Sequence, residues 1–319
     1  MRFDGVLVVD KPPGMTSRRV VTSISRLVGV AKAGHAGTLD PLATGVLVLA
    51  LGRATLLTRY ISGGRKEYEV TALLGVETDT FDIEGNLVRE ADTSHVSEES
   101  VLEALENIAG RTTQRPPVHS AVKHRGKPLY HYARKGVKMV PAERPLDISS
   151  IELDELKRSG DALEARLNVE CGPGTYVRSI VHDLGVSLGT GACVSQLRRI
   201  RSGYFDLSEA ERLEALVTGG RPFVLSKTLT MEQATSFMPS VVVDREGAVA
   251  TSRGVPLLSS FIQNRVGVAQ GSEPFRVLDQ ADLLLAIYGP ARKSDGADVS
   301  GRALRVIRPE GEAGDHEVA

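Results

Sequence analysis

Two distant segments of the chain alternate apolar and polar residues, so each is expected to bury one face and expose the other. Tyr68–Leu74 places Tyr, Val, Ala and Leu on one side, and Ala165–Cys171 places Ala, Leu, Val and Cys there. Both patterns predict half-buried β-strands. Apolar residues at helical spacing occupy Glu98–Ile108 and the stretch from Val177 to Leu188, which predicts two amphipathic helices. Because strands and helices alternate without a regular βαβ rhythm, the sequence predicts a mixed α+β fold.

The N-terminal segment has its own clear signals. Gly5–Val9 is an apolar, β-branched run closed by a proline- and glycine-containing turn, which predicts a buried strand. Thr16 and Ser17 can then begin a helix that ends near Val28, with Gly29 after it. A loop rich in small residues, 35–41, leads from there into an apolar strand over 46–51.

A change of pattern near Pro239 predicts a domain boundary. Short strands are expected beyond it, at Val241–Val243, Phe275–Leu278 and Leu283–Tyr288. From Ala291 onward the chain is polar and rich in glycine. We therefore expect a large domain over residues 1–238 and a small β-rich one over 239–319 that ends in a loose polar tail.

Composition limits the class of protein but gives no overall sign of its partner. The 319 residues carry a formal net charge of −1 and are 41% hydrophobic, which is ordinary for a globular protein. Cys171 and Cys193 are too far apart for a CxxC pair, so we expect two buried thiols in a reducing compartment. The N-terminus lacks signal-peptide features, and the apolar run Val46–Leu51 is far too short for a membrane helix. We expect a cytoplasmic protein.

Asp40 is the first candidate for chemistry. It lies in the loop of small residues just before a buried strand, and Pro41 biases it away from helical backbone angles, which fixes the direction of its carboxylate. An aspartate in such a loop can also serve an Asx-turn, and the local pattern alone favours that structural role. The choice depends on the wider sequence.

Arg178 is the second candidate. After Gly172 and Gly174 turn the backbone, Tyr176 and Arg178 arrive at the start of a predicted helix. A cation at this end opposes the helix dipole, so an anionic group nearby would explain it. A carboxylate held beside Arg178 would stay ionised, as a nucleophile or base requires. The alternative is an ordinary exposed arginine.

Positive charge is concentrated between Arg111 and Arg144. This stretch holds nine Lys and Arg residues and a single acid, Glu143, with three histidines and two tyrosines interleaved. Cations bind phosphates and aromatic rings stack on unpaired bases, so the composition is typical of a site for looped RNA. A solvated basic loop is the alternative. The candidate phosphate-binding residues are Lys123, Arg125, Lys127 and Arg134.

Motifs for metals and nucleotides are missing from the sequence. Asp79, Asp82 and Gly85 superficially resemble a calcium loop, but the alternation of an EF-hand is absent and turn capping explains them better. No HExxH, Walker or GxGxxG pattern occurs. The sequence therefore predicts no metal and no cofactor.

Several separated blocks, in order from Gly5 to about Tyr204, form a recognisable set. They are Gly5–Pro12, Gly14–Ser17, Gly34–Gly45, Lys66–Tyr68, Thr78–Thr80 with Asp82, Ser120–Lys123, Lys127–Tyr130, Gly174–Ile180 and Leu197–Arg199. Together these blocks resemble the bacterial tRNA pseudouridine-55 synthase family (TruB). The block around Asp40 is the most specific of them.

The resemblance implies an isomerase that flips uridine-55 out of the TΨC loop, breaks its bond to ribose and rejoins the base through carbon. It implies that Asp40 is the nucleophile and Arg178 its partner. It also implies that Tyr68 stacks on the target base and that His35 holds the flipped conformation. Tyr176, Leu197 and Lys11 complete the implied pocket.

On the fold, the resemblance implies a largely antiparallel sheet core of the pseudouridine synthase type, with flanking helices. The basic stretch 111–144 would be an inserted RNA-gripping thumb, and the region after Pro239 a PUA-like RNA-binding domain. We expect a monomer that binds the TΨC stem-loop of tRNA, with no guide RNA, protein partner or membrane. Two alternatives stay open: a non-catalytic tRNA-binding or RNA-folding module on this scaffold, and a guide-RNA-dependent synthase of the archaeal and eukaryotic type.

Overall fold

The structure, a computed structural model, describes residues 3–120, 122–124, 126–133, 135–137, 139–267, 273–292 and 298–308. The helices are α1 (Ser17–Val28), α2 (Thr58–Ile61), α3 (Glu98–Ala109), α4 (Leu129–Ala133), α5 (Val177–Ser187), α6 (Leu213–Lys227, bent at Gly220), α7 (Met231–Ala234) and α8 (Arg245–Ser252).

The strands, in chain order, are β1 (Gly5–Lys11), β2 (Ala33–His35), β3 (Thr44–Leu51), β4 (Lys66–Leu74), β5 (Val76–Thr78), β6 (Leu87–Glu90), β7 (Thr113–Gln114), β8 (Lys123–His124), β9 (Lys127–Pro128), β10 (Arg144–Pro145), β11 (Ile148–Ser159), β12 (Ala162–Cys171), β13 (Ala192–Ser202), β14 (Phe205–Asp206), β15 (Glu211–Arg212), β16 (Ser240–Val243), β17 (Leu257–Leu258), β18 (Ile262–Val266), β19 (Phe275–Leu278), β20 (Leu284–Pro290) and β21 (Val299–Val306).

A long mixed sheet forms the centre of the protein. Its strand order is β11-β12-β4-β13-β3-β1-β15, with β2 paired to β3 and β14 to β13. The pairs β13–β3 and β1–β15 are parallel, and the other pairs are antiparallel. The predicted mixed, largely antiparallel α+β core is therefore confirmed.

Local sequence signals account for the first helix. The side chain of Thr16 accepts a hydrogen bond from the Arg19 N–H (3.2 Å), which satisfies one of the free amides at the start of α1. Gly29 ends the helix in the left-handed conformation (φ 74°), which glycine adopts without steric cost. Both ends of the predicted helix are confirmed.

The central sheet is covered differently along its length. In β4, Tyr68, Val70, Ala72 and Leu74 face a core shared with α1, α3 and α5, as the alternation predicts. In β1 both faces are buried: Leu7 and Val9 face that helical core, whereas Val6 and Val8 face a second core. The second core includes apolar residues from α7, β19 and β20, so the C-terminal sheet packs against the back of the central one. The members contributed by those elements are Met231, Ala234, Leu278, Leu284 and Ile287.

A six-stranded sheet of order β17-β21-β20-β19-β16-β18 is built entirely from strands that follow Pro239. This arrangement is consistent with a domain boundary after residue 238, which we propose for this chain. Part of the polar stretch after Ala291 is ordered, because β21 pairs with β17 and β20, and the loose end of the chain stays a prediction. The sequence of β21 has only a weak apolar pattern and gave no signal for a strand. Backbone hydrogen bonds to the neighbouring strands hold β21 in place. Residues 293–297 and 309–319 lie outside the described part.

Both cysteines are free and buried, and burial raises the pKa of each thiol to about 11. Every helix within the described ranges is too short or too polar to cross a membrane.

Two glycines in the left-handed region allow a direct test of close backbone packing. A Cβ on Gly45 (φ 95°) would lie 2.2 Å from the Arg199 carbonyl oxygen, whereas one on Gly29 (φ 74°) would have no atom within 4 Å. Gly29→Ala should therefore lower the free energy of unfolding by about 1–2 kcal/mol through backbone strain alone. Gly45→Ala should lose a further 1–3 kcal/mol or so through overpacking. Urea denaturation measures both, and equal losses would contradict the close approach of β3 and β13.

Candidate active site

The loop that carries Asp40 connects β2 to β3 and is anchored from the start of α1. The Ser17 hydroxyl donates to the Leu39 carbonyl (2.9 Å) and accepts from the Leu39 N–H (2.9 Å). The Gly14 N–H donates to the Pro41 carbonyl (2.9 Å). The backbone on both sides of Asp40 is therefore fixed by segments that precede it by more than twenty residues.

Lys11 supports this loop from beneath. The side chain is fully buried, and Nζ donates to the carbonyls of Pro12 (2.9 Å), Met15 (2.7 Å) and Pro41 (3.1 Å). Burial lowers the pKa of Lys11 to about 8, although the charge of Asp40 opposes that shift. Lys11 thereby ties the turn after β1 to the residue that follows Asp40.

Arg199 supports the other end of the loop. Its guanidinium, 1% exposed, donates to the carbonyls of Val46 (2.8 Å), Gly37 (3.1 Å) and Thr38 (3.4 Å). Lys66 is buried beside it, and burial, followed by the charge of Arg199, lowers the pKa of Lys66. Two buried cations, Lys11 and Arg199, therefore hold the loop through hydrogen bonds to its carbonyls, and Lys66 is buried beside them.

A buried guanidinium holds the carboxylate of Asp40. Arg178 is 5% exposed, and its Nε lies 2.9 Å from Oδ2 of Asp40 without the N–H pointing at that oxygen. Its Nη1 donates to Oδ2 of Asp82 (3.1 Å) and to the Thr80 carbonyl (2.8 Å), and Nη2 donates to the His119 carbonyl (3.2 Å). The guanidinium of Arg178 is therefore shared between two carboxylates, those of Asp40 and Asp82.

The carboxylate of Asp40 is not used by its own turn. Its side chain is 35% exposed, and Arg178 is its only ion-pair or hydrogen-bond partner among the described residues. The turn itself is closed by the backbone, since the Ala43 N–H donates to the Asp40 carbonyl (3.1 Å). The Asx-turn alternative is therefore not what the structure shows, and the carboxylate is open to a ligand on one side.

Asp79 and Asp82 cap a turn, as predicted, but Asp82 does more. Asp79 accepts hydrogen bonds from Asn86, and Oδ1 of Asp82 accepts from the Thr80 hydroxyl (2.7 Å). The other oxygen of Asp82 binds Arg178. Between them, Phe81 adopts φ 63°, rare for a bulky residue. No group of three or more metal-ligating side chains occurs in the described ranges.

The remaining predicted pocket residues lie on elements around this pair. Burial, with the charges of Arg199 and Arg18, lowers the pKa of His35, and its Nδ1 is buried without a hydrogen-bond partner in the described structure. Burial raises the pKa of Tyr68 and of Tyr176, so both phenols stay neutral. Leu197 is 7% exposed and lies opposite Val70 on the neighbouring strand.

The basic stretch 111–144, which we call the basic excursion, begins and ends at the pair β7–β10. Two of its cations are paired within the protein: Arg111 with Asp183 (2.8 Å) and Arg115 with Glu143 (3.2 Å). Lys127 is exposed. Arg125, Arg134 and the side chain of Lys123 lie outside the described part of the chain.

Sequence reasoning gave no site role to three residues that the structure places here, namely Ser17, Asp82 and Arg199. Arg199 could have been found, because it occupies the inward side of β13 two residues after Leu197, where a cation is unexpected. For Ser17 and Asp82 the local pattern offered only a helix start and a turn.

Comparisons with known proteins identify the family of this chain. The model of the TruB family pseudouridylate synthase N-terminal domain matches residues 25–177, and that of the tRNA pseudouridylate synthase B C-terminal domain matches residues 178–219. The tRNA pseudouridine synthase B of Syntrophotalea carbinolica is 40% identical over 91% of this chain and 94% of its own length. The chain belongs to the TruB family. The TruB-family protein of Syntrophobacter fumaroxidans, also named tRNA pseudouridine synthase B, is 38% identical over 95% of this chain and 97% of its own length.

Solved structures show the same fold as this TruB-family chain. The structure of an H/ACA RNP bound to a substrate RNA containing 2′-deoxyuridine includes a chain with a TM-score of 0.72 and 26% identity, covering 96% of this chain and 86% of that one. A Cbf5–Nop10–Gar1 complex includes a chain with a TM-score of 0.71 and 28% identity, covering 97% and 86%.

The depressed pKa of Lys11 predicts a pH dependence of stability. The ordinary lysine value is 10.5 and the folded value is about 8, so the unfolded chain binds more protons between these pH values. Stability contributed through Lys11 should therefore rise with pH across that window. The advantage of the wild type over Lys11→Met in free energy of unfolding should widen from about pH 8 to pH 10.5, measured by urea denaturation. The exposed Lys157→Met is the control, and a constant advantage would mean that Lys11 titrates normally.

Proposed function

We propose that this TruB-family protein is a tRNA pseudouridine synthase that isomerises uridine-55 in the TΨC loop of tRNA. Relatives named tRNA pseudouridine synthase B cover nearly the whole chain at 38–40% identity, which supports the activity. The observation that carries the proposal is a carboxylate, Asp40, that is fixed in place, partly exposed and unused by its own turn.

Isomerisation breaks the bond between the ribose carbon and a ring nitrogen of uracil, rotates the base and joins the same ribose carbon to a ring carbon. The ring carbon then loses its proton and the ring nitrogen gains one, so the atoms balance. An ionised carboxylate can drive the first step by attacking the ribose or by removing a ribose proton to give a glycal. Arg178 supports either route because it holds Asp40 in place beside a buried positive charge.

The surrounding residues fit a flipped uridine. A base must leave the helical stack before its glycosidic bond can be reached, and it is then held by stacking and hydrogen bonds. We assign stacking on the base to Tyr68, and contact with the flipped nucleotide to His35, whose buried Nδ1 lacks a partner in the described structure. Tyr176 and Leu197 line the pocket, and Lys11 positions the Asp40 loop.

We assign RNA binding to the basic excursion. Arg111 and Arg115 are already paired with acids, so the contacts to phosphate fall to the remaining cations, among them Lys123, Arg125, Lys127 and Arg134. We further propose that the PUA-like region after residue 238 adds to tRNA binding, and that the protein acts as a monomer without a guide RNA or protein partner. The relatives named tRNA pseudouridine synthase B are more similar to this chain than the H/ACA structures are, which supports independent action.

Asp40→Asn is the decisive test of catalysis. Asn is nearly isosteric, so the fold and tRNA affinity should persist, while pseudouridine formation should be lost because no carboxylate remains. Single-turnover assays with purified protein and bare tRNA transcript measure this, and wild-type activity in them also tests independence from partners. The matched control is Asp79→Asn, an aspartate that caps a nearby turn, which should stay active. Near-native turnover by Asp40→Asn would refute the assignment.

Salt dependence tests the role of the basic excursion. If it contributes ~4–6 phosphate contacts, log Kd should vary with log salt with a slope of magnitude roughly 3–4, using the per-contact value for unpaired strands. Replacing Lys123, Arg125 and Lys127 by Ala should reduce that magnitude by about 2, from the per-contact value for unpaired strands. Filter binding at several salt concentrations measures the slope. Lys157→Ala, an exposed lysine on β11, is the control, and an unchanged slope in the triple variant would place the RNA footprint elsewhere.

A further inference from the structure

The side chain of Gln114 is buried between the basic excursion and the start of α5. It is 3% exposed. Its Nε2 donates to the carbonyls of Pro145 (3.2 Å) and Gly174 (3.0 Å), and its Oε1 accepts from the Tyr176 N–H (2.9 Å). One side-chain amide therefore joins both ends of the excursion to the turn that precedes α5.

Only a primary amide can make this set of contacts. It supplies two N–H donors and a carbonyl acceptor, and all three are used here. Tyr176 is the N-cap of α5 and makes no side-chain cap hydrogen bond of its own, so its backbone is held from outside by Gln114. Loss of the amide would remove the hydrogen bonds that Gln114 makes to three part-buried backbone groups, at a cost in stability.

The same helix meets the excursion at further points. Residues of α5 bind the excursion through the following pairs: Arg178 Nη2 with the His119 carbonyl (3.2 Å), the Ser179 hydroxyl with the Arg115 carbonyl (2.7 Å), and Asp183 Oδ2 with Arg111 Nη1 (2.8 Å). Side chains of α5 therefore bind the excursion at three points, two of them on its backbone. Gln114 is the contact nearest to Tyr176.

We propose that Gln114 is a positioning residue. It links RNA binding by the basic excursion to the placement of Tyr176 and Arg178 beside Asp40. The inference rests on the proposed function, because it assigns Gln114 to the same site. RNA bound by the excursion fixes the strands β7 and β10, and Gln114 transmits that constraint to the start of α5. Binding energy from a remote part of the substrate is thereby used to orient the reacting groups.

The first test replaces Gln114 with Met, which has a similar length and no hydrogen-bonding amide. Because attack geometry is sensitive to displacements of ~1 Å, the single-turnover rate with saturating enzyme should fall by roughly 10- to 100-fold. The Kd for tRNA should change little, since no phosphate contact is removed. Gln233→Met is the matched control: Gln233 also accepts a backbone N–H at a helix start, that of Thr230 (2.9 Å), but at α7, and its loss should leave the rate unchanged.

Gln114→Glu gives a readout that a merely structural role would not move. The ionised acid keeps the acceptor for Tyr176 but turns an oxygen toward two carbonyls, whereas the protonated acid can donate one hydrogen bond. Its rate relative to wild type should therefore rise as pH falls toward the ionisation of that carboxyl group. Gln114→Met should show no such rise. All rates are taken at a temperature where circular dichroism shows the variants folded, and if Gln114→Met fails to fold, the pH profile of Gln114→Glu decides.

Wild-type rates for Gln114→Met and for Gln114→Glu at every pH would overturn the inference. Weaker tRNA binding at an unchanged single-turnover rate would also overturn it, because Gln114 would then contribute to RNA binding alone. The wild-type protein in the same assay separates the two proposals. If it forms no pseudouridine at position 55, the proposed function fails; if it does and the variants match it, only the coupling role of Gln114 fails.

Discussion

The guanidinium of Arg178 is buried where Asp40, Asp82 and the backbone of the basic excursion meet. A buried cation left without partners destabilises a protein by several kcal/mol. The position of α5 therefore depends on the carboxylates of Asp40 and Asp82. The charge also opposes the dipole at the start of α5, which adds to its need for carboxylates. Three separate segments therefore converge on one side chain, and Asp40 is held as one of its partners.

Buried cations hold the backbone of the Asp40 loop. Arg199 and Lys11 donate to carbonyls on either side of Asp40, and Ser17 fixes the residue before it. Burying Lys11 lowers its pKa to about 8, which shows that this support has a cost in solvation. These cations contact the loop through its backbone carbonyls, and among the described residues the Asp40 carboxylate is paired only with Arg178.

The proposed RNA-binding segment and the proposed catalytic carboxylate lie in different parts of the chain, and both contact α5. The basic excursion lies between α3 and β11, and the carboxylate lies between β2 and β3. Helix α5 contacts the first through Ser179 and Asp183 and the second through Arg178. Because α5 contacts both, the proposed RNA-binding role of the excursion and the proposed catalytic role of Asp40 depend on the same helix.

The sequence by itself determined the elements whose signals are local: the capped helix α1, the alternating strands β4 and β12, and the turn before α5. It also singled out Asp40 and Arg178 as candidates. Only the tertiary structure decided that Arg178 is shared with Asp82, that Arg199 supports the loop, and that β21 joins a sheet. The reason is physical: a strand or a cap is set by neighbouring residues, whereas a buried ion pair or an added strand depends on partners that only the folded chain brings together.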